Sequence, residues 1–156
     1  MILGGLHLSI VYRELEQHEF ARAMRIRIQV FVEEQKVPLQ EEHDCFDLTA
    51  RHFGVFLDGT CVGTGRLALQ NGTGILGRLA ILPEFRGCGL GRGLVQALIA
   101  AGQSRGIHEF LLGAQTHALD FYKKLGFRPE GELFLDGGIP HRMMRYETWE
   151  IEEMDQ

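Results

Sequence analysis

The chain is poor in cysteine, has no excess of basic charge, and contains no apolar run approaching the length of a membrane span; each shortage removes a class of function. Cys45, Cys61 and Cys88 are odd in number and form no C-x-x-C pair, so neither a disulfide framework nor a zinc site is implied, and reduced thiols are expected. The formal net charge of -5 argues against a general nucleic-acid binder, which needs basic contacts to phosphate. Residues 1–12 lack the basic start and apolar stretch of a signal peptide, and with no transmembrane run in the chain a cytoplasmic location away from membranes is expected. What remains, 156 residues of which 45% are hydrophobic, is enough for one domain with a sizeable core, and no linker or repeat divides it.

The stretch that organises the rest is LAILPEFRGCGLGRGL, residues 79–94. An apolar run over residues 75–82 is short enough for a buried strand, and Pro83 prevents its continuation. Gly87, Gly89, Gly91 and Gly93 then recur at every second position, leaving backbone bare where it must approach something. From Gly91 the pattern is helical, with Leu94, Val95, Leu98, Ile99 and Ala101 on one face until Ser104, Arg105 and Gly106 close it. The first turn of a helix presents unpaired N–H groups and a partial positive charge. Here no carboxylate caps it and Arg86 and Arg92 flank the loop, so the arrangement can hold a phosphate or pyrophosphate. The loop lacks the Gly-Lys-Ser/Thr ending of a Walker A and contains no G-x-G-x-x-G, which weakens nucleoside triphosphate and dinucleotide readings. The plainer alternative is a tight glycine turn with solvated arginines.

Residues 6–12 alternate as a first strand, and residues 16–32 place Phe20, Met24, Ile28 and Phe31 on the sheet-facing side of a helix. Residues 33–47 hold Glu33, Glu34, Glu41, Glu42, Asp44 and Asp47 against a single Lys36. This is either a solvated loop or the acidic mouth of a site that attracts a cationic amine. Glu42, His43, Asp44 and Cys45 do not make a metal site, because adjacent side chains diverge, and no metal is expected. Strands over 51–57 and 61–69 flank the hairpin signal Asp58-Gly59, and Asn71-Gly72 precedes the central strand. A strand over 108–113 follows the crossover helix and so pairs in parallel. A short helix then carries Ala118, Phe121, Tyr122 and Leu125 on one face and stops at Gly126. Strands over 131–135 and 142–147 turn about Asp136-Gly137-Gly138, and the acidic end, 149–156, is expected to fray. The order βαβββαβαββ is that of a mixed α/β fold.

At this point the residues carry a resemblance. Arg86-Gly87-Cys88-Gly89-Leu90-Gly91 resembles the (Arg/Gln)-x-x-Gly-x-(Gly/Ala) signature of the GNAT acetyltransferases, placed as in that family after a strand ending in x-x-Pro. HALDFYKKLGF, residues 117–127, is similar to the family's second signature, A-x-x-(Phe/Leu)-Tyr-x-x-x-Gly-Phe. The element order resembles the GNAT domain over nearly the whole chain, which implies a mostly antiparallel central sheet with helices on both faces. VFVEEQ at 30–35, LGAQTH at 112–117 and DGGIPH at 136–141 resemble three stretches of the ElaA-like branch, although Gly137 stands where that branch commonly has an acidic residue.

The resemblance implies acyl transfer from acetyl-CoA to an amine, and it assigns roles. The backbone of Leu79, Ala80 and Ile81 would pair with the pantetheine arm, and an N–H near Ile81 would polarise the thioester carbonyl. Arg86, Gly87, Cys88, Gly89, Leu90, Gly91 and Arg92 would hold the pyrophosphate. Gln115 stands where many members have Asn and would contact a coenzyme amide. Tyr122 stands where the family's tyrosine protonates the leaving thiolate; by its own spacing it also fits core packing with Ala118 and Leu125. A homodimer would follow the family's habit.

Direct attack on a thioester requires a neutral amine and therefore a base. The glutamate that several members carry on the central strand has no counterpart, since residues 74–82 contain no Asp, Glu or His. Glu34, His52, His117 and His141 are the candidates for base or acceptor contact, each histidine reading equally as a structural side chain. Arg78 would bind a carboxylate on the acceptor or support the sheet. Cys88 reads as a small loop residue open to oxidation. The expectation is an N-acetyltransferase acting on a small or peptidic amine; the alternative of a different class is a non-catalytic acyl-CoA-binding or regulatory module.

Overall fold

A computed structural model describes the backbone of residues 2–3 and 6–148, and side chains from residue 8 onward. Residues 149–156, expected to fray, lie outside the described residues. Seven strands form one sheet: β1 (Ile10–Glu14), β2 (Arg51–Leu57), β3 (Thr60–Gln70), β4 (Thr73–Ile81), β5 (Glu109–Gln115), β6 (Arg128–Asp136) and β7 (Ile139–Glu147). Their spatial order is β1-β2-β3-β4-β5-β7-β6, with every pair antiparallel except β4 and β5. Asp58-Gly59 and Asn71-Gly72 take the positive φ that tight hairpins require and join β2 to β3 and β3 to β4. Among the described residues the α-helices are α1 (Phe20–Arg27), the short α2 (Leu39–Glu42), α3 (Leu90–Gln103) and α4 (Leu119–Lys124). None is long and apolar enough to cross a membrane.

The sheet is covered on both faces because β2 is apolar on both. Phe53, Val55 and Leu57 pack with Leu94, Val95, Leu98 and Ile99 of α3, while Phe56 turns the other way to meet Ala23 of α1. Contact between α3 and β1 is close: a Cβ on Gly93 would run into the Tyr12 hydroxyl. Gly93→Ala should therefore cost about 1–3 kcal/mol in chemical denaturation. Adding Tyr12→Ala should remove that penalty, so the double variant should lose less than the two single losses summed, whereas additive losses would refute the contact.

Three expectations are corrected. The first strand is Ile10–Glu14, not 6–12; Leu6–His7 pairs with Ile2–Leu3 in a separate two-stranded sheet. The buried face of α1 is Ala23, Ile26, Arg27 and, beyond it, Val30, flanked by half-buried Phe20, Met24, Ile28 and Phe31. Hydropathy misplaces that face because its largest member is an arginine, and because Ile28–Glu34 winds as a π-helix, whose wider turn shifts the phase of the side chains. The acidic run 33–47 is not simply a solvated loop: Glu42 and Asp47 are buried and bound to arginines of α1 and β3, while Glu33, Glu34 and Glu41 stay exposed.

Candidate active site

β4 and β5 begin as partners and then part. Their parallel register runs only from Gly74 opposite Phe110 to Leu76 opposite Leu112, although β4 continues to Ile81 and β5 to Gln115. Two features of β4 cause the divergence. Between the rows Thr64 opposite Ala80 and Arg66 opposite Gly77, β4 carries one residue more than β3, and Arg78 within that bulge has a φ of 49°. The left-handed conformation is costly for arginine, and three bonds hold it. Arg78 Nε donates to the Glu42 carbonyl at 2.9 Å, and Nη2 donates to the Glu41 carbonyl at 3.3 Å and to Asp44 Oδ2 at 3.2 Å.

Beyond the bulge, backbone polar groups face the opening. Leu82 N–H donates to the Val62 carbonyl on the β3 side, so alternation along the extended chain turns the N–H and C=O of Ile81 toward the gap. There the Ile81 carbonyl accepts from Arg86 Nε at 2.8 Å.

At the end of β4 the glycine loop opens α3. Gly87 and Gly89 take φ of 82° and 87°, and nothing lies within 4 Å of where their side chains would begin. Those two glycines provide the left-handed turn and an open cradle. Gly93, by contrast, serves the contact with Tyr12. Gly89 is the N-cap of α3 with no side chain capping the first turn, so the N–H groups at that end face the cradle. Two contiguous hollows lie here, of about 340 Å³ and 260 Å³, and Ile81, Arg86, Gly91 and Phe121 line both. The first continues over Gly87, Gly89, Leu90 and Arg92; the second runs along Leu79 and Ala80 to Ala118 and Tyr122. An uncapped helix end with an open glycine turn thus passes into an apolar trough beside the edge of β4. The uncapped helix end, open cradle and Arg92 fit a diphosphate, and the trough fits a narrow amide-bearing chain.

Tyr122 stands at the inner end of the trough, in edge contact with Phe121 at 5.0 Å and Phe127 at 5.8 Å between ring centroids. Burial pushes its hydroxyl up to about 12, so the phenol is neutral and a proton donor throughout the physiological range.

The remaining candidate side chains divide. Arg86 lines the hollows, but its terminal nitrogens grip both carboxylate oxygens of Glu34 at 2.9 Å, and that bond holds Glu34 below the usual carboxylate range. Gln115 exchanges hydrogen bonds with Gln35, at 2.9 Å from its own amide and 3.3 Å in return. His141 is opposite Gln115 in the β5–β7 register, stacked on Phe134 and bonded through Nδ1 to the Ile139 carbonyl at 2.6 Å. His52 lies two strands from β4, its ring against Phe20 at 4.6 Å; burial lowers its pKa despite the neighbouring Asp47. His117 is exposed, and its neighbour Ala118, not His117 itself, lines the trough. Cys88 is exposed with its thiol 3.1 Å from the Phe85 carbonyl. Arg78, engaged as described, is bound to the 41–44 segment.

Phe121 and Gln35 escaped the sequence reading as site residues. Phe121 is 39% exposed despite its apolar ring, and its place in A-x-x-(Phe/Leu)-Tyr was the available signal. Gln35 closed the VFVEEQ string but showed no sign of its partner 80 residues away.

Comparison with known proteins identifies the family and the fold. Residues 12–127 match the model of the acetyltransferase (GNAT) family. An uncharacterized N-acetyltransferase of Bacillus subtilis, YjcF, is 40% identical over 129 residues, covering 82% of this chain and 92% of the relative. The crystal structure of Escherichia coli ElaA superposes with a TM-score of 0.78 at 26% identity, covering 90% of this chain and all of that one. The fold is also shared by the PaiA N-acetyltransferase of Thermoplasma acidophilum, solved in complex with coenzyme A, at a TM-score of 0.67 and 21% identity over 90% of this chain and 99% of that one. Bulged β4, glycine loop, uncapped α3 and the tyrosine of α4 therefore sit on a recognised framework, and the chain belongs to the GNAT family of acetyltransferases.

Proposed function

We propose that this protein transfers the acetyl group of acetyl-CoA to a primary amine by direct attack, with no enzyme-bound acyl intermediate. The observation that carries the reading is the continuity of the site, from an open cradle at α3, along the part of β4 that has left its pairing with β5, to a neutral tyrosine. On this reading the N–H groups of the Gly87 to Gly91 turn and Arg92 bind the diphosphate, and Leu79, Ala80 and Ile81 align the pantetheine arm. Ile81 N–H, aimed into the gap, stabilises the negative charge that grows on the thioester oxygen. Tyr122 donates its proton to the departing thiolate. The amine enters between β4 and β5 from the α1 side, where Glu34 and His141 are the candidates to receive its proton.

The test is the melting temperature of the purified protein with acetyl-CoA, CoA, ATP and NADH, followed by thiol release over a panel of amines. A ligand that binds only the folded state stabilises it by RT ln(1 + [L]/Kd), about 2.7 kcal/mol at 100-fold excess over Kd, and so must raise the melting temperature. Acetyl-CoA and CoA should raise it and NADH should not. No rise at saturating acetyl-CoA would reject the reading; a rise without thiol release from any amine would make the protein a sensor of acyl-CoA.

A further inference from the structure

The two side chains best suited to hold the donor are already engaged, and by adjacent residues. Glu34 is the last residue of the π-helical segment and Gln35 caps it, after which Lys36 turns the chain with a φ of 64°. Glu34 fills the fork of Arg86 and Gln35 fills the amide of Gln115, so this tip spans from the glycine loop to the end of β5. An anion and a carboxamide, side by side, are also what the arm of coenzyme A presents to the same groove.

We propose that Glu34 and Gln35 form an internal stand-in for the donor: binding of the coenzyme displaces them from Arg86 and Gln115, and the released Glu34 carboxylate then receives the acceptor ammonium. The inference rests on the acetyl-CoA reading above. Arg86 has its Nε on the Ile81 carbonyl and both terminal nitrogens on Glu34, so while Nε keeps the Ile81 carbonyl its end-on fork opens to a phosphate only when Glu34 leaves. The exchange is accessible because the pair is about two-fifths exposed on each side, where ion pairs are weak and screened. A doubly charged diphosphate, further held by the α3 N-terminus, outcompetes a single carboxylate. The consequence is order. While Glu34 is bound to Arg86 it is a poor base and a neutralised anion; only with donor in place does the acceptor side gain its negative charge.

The experiment is calorimetric titration at low ionic strength, with CoA and with pantetheine, which has no diphosphate. Wild type, Glu34→Gln and Gln35→Ala are compared with Glu33→Gln, an exposed neighbour that removes the same charge without touching Arg86. Glu34→Gln should bind CoA about two- to fivefold more tightly, the range that an exposed ion pair supplies, and pantetheine no differently. Gln35→Ala should tighten both ligands, because it frees only the amide partner. Glu33→Gln should match wild type. Equal tightening by Glu33→Gln and Glu34→Gln would reduce the effect to bulk charge and overturn the stand-in, as would unchanged or weaker CoA binding in Glu34→Gln alongside normal binding by wild type. Failure of wild type to bind CoA at all would instead bring down the functional reading, and the stand-in with it.

Discussion

Tyr122→Phe is expected to lower kcat by about 100-fold, the lower end of what a positioned general acid supplies, because a thiolate needs less help to leave than an alkoxide or amine. Removing one oxygen leaves the ring contacts with Phe121 and Phe127 in place, so the unliganded protein should melt within a few degrees of wild type. CoA affinity should hardly change. The pH dependence makes the assignment sharper. With the phenol pushed up to about 12, wild type keeps its acid protonated across neutral pH. The ratio of wild-type to variant kcat should therefore stay constant from pH 6 to about pH 9. Steady-state kinetics with any amine that turns over would check both points. A variant with ordinary turnover would leave Tyr122 as a packing residue and require another proton source for the thiolate.

Much of this site is legible in the sequence because its parts are local. Glycines at alternate positions after a proline-terminated strand specify a turn and a helix start within a few residues. The structure adds a division of labour: Gly87 and Gly89 take the left-handed turn, and Gly93 admits Tyr12. The order β2-β3-β4-β5 is also local information, carried by the Asp58-Gly59 and Asn71-Gly72 hairpins and by one crossover helix; the place of β7 between β5 and β6 is not. Strand ends differ by a few residues, as at β6, which begins at Arg128 and not at 131.

What could not be read is what depends on partners far apart in the chain. Acidic residues 33–47 give no sign in one dimension that Asp47 meets Arg27 and Arg66, 20 and 19 residues distant, and so becomes buried. Glu34 was a candidate base by resemblance, yet its pairing with Arg86, 52 positions on, changes its chemistry. Arg78 presents the same difficulty. Its charge left two roles open, an acceptor carboxylate or support of the sheet, and its positive φ and its bonds to Glu41, Glu42 and Asp44 favour the second, as the anchor of the β4 bulge. A hydrophobic pattern locates a buried face only when the face is apolar, and the centre of this one is ionic.

That ionic centre yields the largest expected loss of stability. Arg27 is 1% exposed; it bonds Glu42 through Nε, the Glu42 carbonyl at 3.1 Å, and both oxygens of Asp47 at 2.7 and 3.0 Å. Glu42 Oε2 is buried with no hydrogen-bond partner, so Glu42 depends heavily on Arg27, its other cation being Arg78 at 3.8 Å. Arg27→Met should therefore strand a buried carboxylate and cost about 3–5 kcal/mol, visible in urea unfolding. In a chain of this size that is a fall in melting temperature on the order of 10 °C. Arg27→Met with Glu42→Met should lose less than Arg27→Met alone, since no charge at that position is left without its partner. Acid unfolding supplies a second readout. Burial by itself would raise the Asp47 carboxyl, but hydrogen bonds from Arg27 and Arg66 hold it well below the ordinary range. Its contribution is therefore complete above about pH 4 and lost as the pH falls below that. Arg27→Met should flatten this acid limb, because Asp47 then keeps only Arg66. Asp44 and the Glu42 carbonyl also hold Arg78, so loosening the centre should relax the bulge and raise KM for acetyl-CoA at temperatures where the variant is still folded. A loss under 1 kcal/mol with an unchanged acid limb would mean that water takes over the arginine's bonds, and the link from α1 to the opening of β4 would be lost.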